Sequence, residues 1–308
     1  MNCIFCNKNS DDSKSVEHIV PESIGNISHV LAKGIVCDKC NNYFATKIEK
    51  ELLNQPYFIS VRQRNIIKSK KGHLVPDKIL LPHPNGGWID AWFDFDEEGT
   101  MSIIFRNEDL DKMKLITEGL INNLMIPIIP EPEYPSKIMS RFLAKCAFEY
   151  LMLRVNDIRF AEVLHEEQFS PIKRYARFGE GGYWPYSQRR IYGEGDFFED
   201  KSIEEPYEIL HEMDLLVIHI NPPATINEEI IIYGEIYFVL VIMGIEYVIN
   251  IGGPEIEGYY EWLKENNNKS PVTKEYEKWL MPNTGSIFPL VNEKVIKSIK
   301  ESEINKSK

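Results

Sequence analysis

The stretch CDKCNNYF, residues 37–44, decides how the N-terminal part of this chain folds. A Cys-x2-Cys pair places two thiolates on one turn, which supplies half of a tetrahedral metal site. The other half stands at the beginning of the chain, where CIFC repeats the same spacing. We therefore predict a structural zinc ion held by Cys3, Cys6, Cys37 and Cys40.

The residues that follow the second cysteine pair predict a helix. Phe44, Ile48 and Leu52 recur every four residues and so form one apolar helix face. A segment this short buries little apolar surface, and a zinc site supplies the folding free energy that it lacks. We interpret residues 1–54 as a zinc-braced module.

Composition is typical of a globular protein with an acidic excess. The 308 residues are 43% hydrophobic and carry a formal net charge of −12, which argues against a protein that coats nucleic acid with its whole surface. The chain has no apolar run long enough for a membrane span and no secretory pattern at its start, so we expect a cytoplasmic protein without a membrane partner. In that reducing compartment paired cysteines favour metal over disulfides.

Residues 55–308 have the pattern of a larger α+β domain. We predict strands and loops for residues 55–130, with a hairpin turn at DEEG, residues 96–99. An apolar stripe predicts a core helix at about residues 135–155, in which Cys146 is a small buried hydrophobe.

The last part of the chain divides into a sheet and a tail. Three β-branched and aromatic runs within residues 214–252 predict an antiparallel sheet. Residues 292–308 are too polar to bury much surface, and we interpret them as a loose tail.

Between the cysteine pairs, SVEHIVPESIGN (residues 15–26) places Glu17 beside His18. Neighbouring side chains of a strand point to opposite faces, so one can bind a metal while the other addresses a different atom. Asn41 and Asn42 follow the last cysteine, where an amide oxygen can reach the strand. Carboxylate and amide oxygens suit Mg²⁺ or Mn²⁺. A helix N-cap is the plainer alternative for Asn41.

The segments CIFC, EHIVPESIGN and VCDKCNNYFATKIEK, in that order, resemble the HNH endonuclease family, in the branch whose ββα-metal core is braced by four cysteines. The resemblance covers residues 1–54. It implies that His18 is the general base and that Glu17 and Asn41 bind the catalytic Mg²⁺ or Mn²⁺. Asn42 is the alternative ligand if the register is shifted by one. The histidine-orienting asparagine of the family has no clear counterpart, because Asn26 lies nearer to the histidine.

The resemblance implies a metal-dependent endonuclease that hydrolyses phosphodiester bonds of nucleic acid, with DNA as the expected substrate and bacterial antiviral defence as the setting. The expected fold class is α+β, with an N-terminal ββα-metal zinc module followed by a larger α+β domain that contains an antiparallel sheet. One alternative is a non-catalytic zinc-binding adaptor or regulator. Another is a nuclease gated by a ligand or protein partner that the C-terminal domain senses. RNA as substrate, nicking against double-strand cutting, sequence specificity and a homodimer stay open.

Two basic segments are predicted to contact the nucleic acid. Residues 55–76 hold five basic residues and no acids, and residues 170–190 interleave Lys and Arg with aromatic rings that can stack on bases. A solvated basic edge strand and a structural surface loop are the respective alternatives. The predicted contacts are Arg62, Arg64, Lys68, Lys70, Lys71, Lys173, Arg174, Arg177, Arg189 and Arg190.

Overall fold

A computed structural model describes residues 1–26, 28–65, 67–68, 74, 76–95, 100–125, 131–155, 163–193, 196–199, 211–219, 224–226, 229–231, 234–272 and 277–279. The described residues form two compact units, one within residues 1–52 and 133–284 and the other within residues 53–132. Residues 1–52, which carry the four paired cysteines and are called the cysteine module below, therefore pack in one unit with residues 133–284. The domain boundary at residue 54 stays a prediction.

Both units contain strands and helices. The strands are β1 (Glu17–His18), β2 (Val30–Leu31), β3 (Asp77–Pro82), β4 (Trp88–Phe95), β5 (Met101–Phe105), β6 (Ser187–Arg190), β7 (Phe197–Glu199), β8 (His211–His219), β9 (Ala224–Ile226), β10 (Glu229–Ile231), β11 (Gly234–Ile242), β12 (Ile245–Asn250) and β13 (Glu277–Trp279). The α-helices are α1 (Asp38–Phe44), α2 (Lys50–Leu53), α3 (Pro56–Arg64), α4 (Met113–Thr117), α5 (Lys137–Val155), α6 (Ser170–Phe178) and α7 (Glu257–Glu265). A π-helical turn, Ala45–Glu49, joins α1 to α2.

The unit that contains the cysteine module is built on a four-stranded antiparallel sheet in the order β6-β12-β11-β8. Tyr237 and Val239 of β11 pack in one apolar cluster with Tyr259 of α7, whereas Phe238 contacts the ring of Tyr150 on α5. Because helices lie on both faces, every residue of β12 is buried. This explains an apolar run without alternation and confirms the antiparallel sheet predicted for residues 214–252.

The turn between β11 and β12 depends on a glycine. Met243 and Gly244 both have positive φ, of 49° and 81°, as a two-residue hairpin turn requires. A Cβ atom at Gly244 would lie 2.3 Å from the carbonyl oxygen of Tyr192, so a larger residue does not fit there. The sharp turn keeps β11 and β12 in register along their length.

The core helix predicted at residues 135–155 is confirmed as α5. Cys146 is fully buried, as expected, and its thiol donates a hydrogen bond to the carbonyl oxygen of Ile19 at 3.0 Å. Phe148 of α5 contacts Phe5 of the cysteine module, with ring centroids 5.7 Å apart. Helix α5 is therefore the element that joins the module to the sheet.

The other unit contains the antiparallel sheet β3-β4-β5. One face of this sheet packs on a small apolar core. The predicted β4-β5 pairing is confirmed, while the turn at residues 96–99 lies outside the described residues, as does the predicted tail at residues 292–308. In the part of the chain that the structure describes, no helix has the length and apolar character needed to cross a membrane.

Two segments differ from the sequence prediction. Residues 56–64, predicted as strand or loop, form α3, because Pro56 begins the helix and Tyr57, Phe58 and Val61 bury one helical face. Residues 170–190, predicted as a surface loop, form α6 and then β6. Gly179, with a φ of 70°, ends α6. Aromatic and basic residues obscured the helical spacing in both segments.

Burial of His211 predicts a pH dependence of stability. Burial, together with the charge of the nearby His29, lowers the pKa of His211 to about 4. Between that value and the ordinary pKa of about 6.5 the unfolded chain binds more protons, so stability falls as the pH drops through this window. Lowering the pH from 6.5 to 4.5 should lower the unfolding temperature of both proteins. We expect the decrease to be about 2–4 °C smaller for His211→Phe than for wild type.

Thermal unfolding followed by circular dichroism at several pH values measures this difference. His83→Gln, a change at a turn in the other unit, serves as the control and is expected to follow wild type. Equal pH dependence in wild type and His211→Phe would contradict the assignment.

Candidate active site and metal centre

The four cysteine sulfurs converge on one point. The Sγ atoms of Cys3, Cys6, Cys37 and Cys40 all lie within 4.8 Å of one another, and those of Cys6 and Cys37 are 3.7 Å apart. A tetrahedral zinc ion with Zn–S bonds of about 2.3 Å requires S···S separations of about 3.8 Å. The residues present therefore fit a structural zinc ion, as the spacing predicted.

Local backbone structure places each pair. In the first pair the chain turns back at Asn7, whose φ is 56°, and the amide of Asn7 donates to the carbonyl oxygen of Cys3. In the second pair Cys37 is the N-cap of α1 and Cys40 lies on its first turn. The amide of Ile4 donates to the carbonyl oxygen of Ile35 and joins the two turns at 3.0 Å.

The crowded sulfurs differ in their affinity for protons. A hydrogen bond from Cys40 lowers the pKa of the Cys3 thiol to about 4. The same hydrogen bond, together with burial, raises the pKa of Cys40, and Arg177 opposes this rise. A thiolate at Cys3 is the form that a zinc ion binds.

Glu17 and His18 lie on the short hairpin between the two cysteine pairs. Glu17 is paired with Leu31 and His18 with Val30 across β1 and β2. The fully buried Asn26 braces the connection, because its amide donates to the carbonyl oxygens of Val20 at 2.7 Å and His29 at 3.0 Å. Asn26 thus holds the backbone of the hairpin.

Helix α1 is tied to the approach of β1 by two side chains. Asp38 accepts hydrogen bonds from the amide of Ser15 at 2.8 Å and from its hydroxyl at 2.5 Å, which lowers the pKa of Asp38. One turn later, Nδ2 of Asn41 donates to the carbonyl oxygen of Val16 at 3.1 Å. The N-cap is Cys37, so the capping alternative for Asn41 is wrong, and its amide spans from the helix to the strand that carries Glu17.

The imidazole of His18 has an unused nitrogen. Its Nδ1 atom is buried and makes no hydrogen bond within the residues that the structure describes. Buried polar atoms are nearly always paired, so an unpaired one calls for a partner.

A buried lysine binds Glu17. Nζ of Lys145, on α5, lies 2.6 Å from Oε1 of Glu17, 2.8 Å from Oε1 of Glu49 and 3.2 Å from Oε2 of Glu149. It also donates to the backbone carbonyl oxygens of His18 at 3.0 Å and Ile19 at 3.1 Å. The predicted metal ligand Glu17 is therefore held by an ammonium group from residues 133–284. We call Lys145, Glu17, Glu49 and Glu149 the lysine cluster.

Charge and burial act against each other in the lysine cluster. Burial alone lowers the pKa of Lys145, but the carboxylates around it raise that pKa well above its ordinary value. Burial raises the pKa of Glu149 well above its ordinary value. Lys145 is thus held in its charged form.

Sequence reasoning missed this cluster, although a signal was present. Lys145 and Glu149 stand four residues apart on a helix that is otherwise apolar in this region, and such a pair lies on one face. Two charged side chains that face a core need partners, and Glu49 is the partner of Lys145 from the π-helical turn. Single π-helical turns recur at functional sites.

A second contact links α1 to the rest of the same unit. The guanidinium carbon of Arg177 lies 3.5 Å from the centre of the Tyr43 ring, and Nη2 of Arg141 donates to the Tyr43 hydroxyl at 2.8 Å. Tyr43 follows the two asparagines directly, so these arginines fix the helix close to Asn41. Asn42 is exposed.

The predicted nucleic-acid contacts in residues 170–190 have protein partners. Lys173 is buried and donates to the carbonyl oxygen of Leu164 at 3.0 Å, and Arg177 is buried against Tyr43. Arg189 pairs with the buried Glu246 at 2.5 Å. Arg174 is exposed but bonds Glu180, and the exposed Arg190 bonds the carbonyl oxygen of Tyr192 at 3.2 Å.

The contacts predicted in residues 55–76 belong to the other compact unit. Arg62 is buried in α3, where burial lowers its pKa. Arg64 is on the same helix, and its side chain lies outside the described part, as do Lys70 and Lys71. Lys68 is half-buried. Burial of Arg62, Lys173 and Arg177 favours a structural role for those three side chains.

Loss of one sulfur should remove the zinc ion. We expect Cys40→Ser to contain almost no zinc and to unfold at a lower temperature than wild type, because a structural zinc ion contributes roughly 10–16 kcal/mol of binding free energy. Metal analysis of the purified protein measures the zinc content. Cys146→Ala, which removes the buried cysteine outside the tetrad, is the matched control and should retain one zinc ion per chain; an unchanged zinc content in Cys40→Ser would refute the site.

Comparison with known proteins identifies the module. Residues 3–57 match the HNH endonuclease family, and the match covers both cysteine pairs, the β1-β2 hairpin and α1. No curated protein and no solved structure matches the chain significantly. The match supports a nuclease-type function and a nucleic acid substrate. Residues 3–57 are thus the part of this chain that is similar to the HNH endonuclease family.

Proposed function

We propose that the protein is a metal-dependent endonuclease that hydrolyses phosphodiester bonds of nucleic acid, with DNA as its substrate. The observation that carries the proposal is the hydrogen bond from the side-chain amide of Asn41 to the carbonyl oxygen of Val16. This bond brings the helix amide to the strand that carries Glu17 and His18. In this proposal His18 is the general base, and Glu17 and Asn41 hold the catalytic Mg²⁺ or Mn²⁺. Antiviral defence is the setting that we propose for this activity.

The donor set suits a hard divalent cation. Nδ2 of Asn41 is used by Val16, and its Oδ1 makes no hydrogen bond within the described residues, which leaves an oxygen donor. Glu17 adds a carboxylate, whose Oε1 binds Lys145. Oxygen donors of these two kinds are typical of Mg²⁺ and Mn²⁺ sites. When bound, the cation supplies stabilisation of negative charge on the phosphate and on the leaving 3′-oxygen.

The chemistry assigned to the chain itself is a proton transfer. An unbonded ring nitrogen of His18 accepts a proton from water as the water oxygen forms a bond to phosphorus and the bond from phosphorus to the 3′-oxygen breaks. Imidazole is suited to this transfer near neutral pH. The cysteine tetrad lies at the start of α1, and the β1-β2 hairpin carries His18.

We propose that residues 55–308 select the substrate or control access to the site. The acidic net charge of the chain supports a control of nucleic-acid binding, because a polyanion is attracted only where basic side chains are exposed. Arg174 and Arg190 are exposed basic side chains among the described residues of 170–190. They are the contacts from that segment that we retain in the proposal.

Cleavage of supercoiled plasmid DNA tests the proposed function. We expect wild type to nick or linearise the plasmid with Mg²⁺ or Mn²⁺ and to lose this activity in EDTA. His18→Ala should retain zinc and fold but lose activity by about 10²–10⁴-fold, because it lacks the general base. Gel analysis of the plasmid forms over time gives the rates.

His29→Gln, a histidine change in the same hairpin, is the matched control and is expected to cleave like wild type. An RNA substrate is assayed in parallel. Wild type that cleaves neither DNA nor RNA would favour the zinc-binding adaptor. Full activity in His18→Ala would show that His18 is not the general base.

The two asparagines are expected to differ. Asn41→Ala should lower activity by about 10–100-fold and raise the Mn²⁺ concentration needed for half-maximal cleavage, because it removes a proposed ligand. Asn42→Ala changes an exposed side chain and should stay close to wild type. A Mn²⁺ titration of the cleavage rate decides between them, and the reverse order of effects would shift the ligand to Asn42.

A further inference from the structure

We infer that Lys145 is a positioning residue for the nuclease site, through which helix α5 holds Glu17 and the backbone of His18 in their working geometry. The inference deepens the proposed function and rests on it. It assigns a role in the reaction to a residue far from residues 3–57 in sequence. The HNH-matching segment is therefore incomplete without α5.

The contacts of Lys145 are directed at β1. Its ammonium group bonds the side chain of Glu17 and also the carbonyl oxygens of His18 and Ile19, so it fixes the side chain of one proposed catalytic residue and the backbone of the next. Lys145 is fully buried, which restricts its motion. The neighbouring Cys146 bonds the same carbonyl oxygen of Ile19, which adds a second support to the end of β1.

Stability alone does not account for a buried ammonium at this place. Taking a charge out of water is costly, and apolar side chains of similar volume are often as stable or more stable than a buried ion pair. Apart from Ser140, Lys145 and Glu149, the buried residues of α5 are apolar. The buried ammonium group lies where it meets Glu17, which points to a positional role.

Charge balance indicates that a cation is compatible with the lysine cluster. Three carboxyl groups surround one ammonium group, so acidic groups outnumber the basic one, although burial raises the pKa of Glu149. A divalent cation at Glu17 adds positive charge to this acid-rich cluster. A carboxylate can bind an ammonium with one oxygen and a metal with the other, and such outer partners orient ligands for their metal.

The expected effect follows from the loss of an outer partner. Without the ammonium, Glu17 samples several positions, and each metal-binding event must first order it. Loss of such a partner costs about 10–100-fold in metal affinity or activity.

The test uses the full chain loaded with zinc. Lys145→Met alone leaves three carboxyl groups facing one another, so the principal variant is the double change Lys145→Met, Glu149→Met, which removes one positive and one negative charge and keeps the side chains large and apolar. Glu149→Gln is the matched control, because it keeps Lys145 beside Glu17. Circular dichroism and zinc analysis establish that each protein is folded and loaded.

Two readouts separate positioning from structure. Mn²⁺ binding to each folded protein is measured by electron paramagnetic resonance of the free ion, and the Mn²⁺ dependence of plasmid cleavage is measured alongside. We expect the double variant to bind Mn²⁺ about 10–100-fold more weakly and to cleave more slowly, while Glu149→Gln follows wild type. If the double variant does not fold, Lys145→Arg, which keeps the charge but changes its position, should show the same weaker Mn²⁺ binding.

The outcomes distinguish this inference from the proposed function. A folded double variant with wild-type Mn²⁺ binding and cleavage overturns the inference and leaves the nuclease intact. Tighter Mn²⁺ binding in the variant also overturns it, because Lys145 would then compete with the metal for Glu17. Wild type that neither binds Mn²⁺ nor cleaves overturns the proposed function and this inference with it.

Discussion

The convergence of four cysteine sulfurs on one point is the constraint on which the rest of the N-terminal structure depends. The first pair lies at the start of the chain and the second begins α1, so their meeting brings the helix beside the intervening hairpin. Asp38 and Asn41 hydrogen-bond the residues before β1, and both lie on the helix turn that carries Cys40. The cysteine geometry thus supports the candidate active site.

A second layer of control comes from the helix that packs against the module. Aromatic contacts of Phe5 with Phe44 and Phe148 provide apolar burial, which holds surfaces together without specifying direction. Directional bonds come from Lys145 and Arg141, which reach Glu17 and Tyr43. Apolar packing therefore gives cohesion, and the buried charged groups give orientation.

The sequence predicted those features that short spacings encode. The zinc ligands, the apolar face of Phe44, Ile48 and Leu52, helix α5 and the antiparallel sheet each follow from a local period or motif, and the structure agrees with them. The roles of Glu17, His18 and Asn41 stay predictions. The contacts that were not predicted join residues far apart in sequence. Lys145 and Glu17, for example, are 128 residues apart. Basic residues were also misleading, because charge alone does not reveal that Lys173 and Arg177 are buried among aromatic rings.

The order of the segments along the chain has a consequence for synthesis of the protein. Residues 53–132 belong to a separate compact unit, so they stand between the HNH segment and the helix that supports it. A ribosome that has finished residue 57 must add about 90 more residues before Lys145 exists, which takes on the order of 5–20 s at ordinary elongation rates. During that interval a nascent chain can gather its four cysteines while Glu17 still lacks its ammonium partner. Maturation of the site is therefore delayed until the next unit has been made.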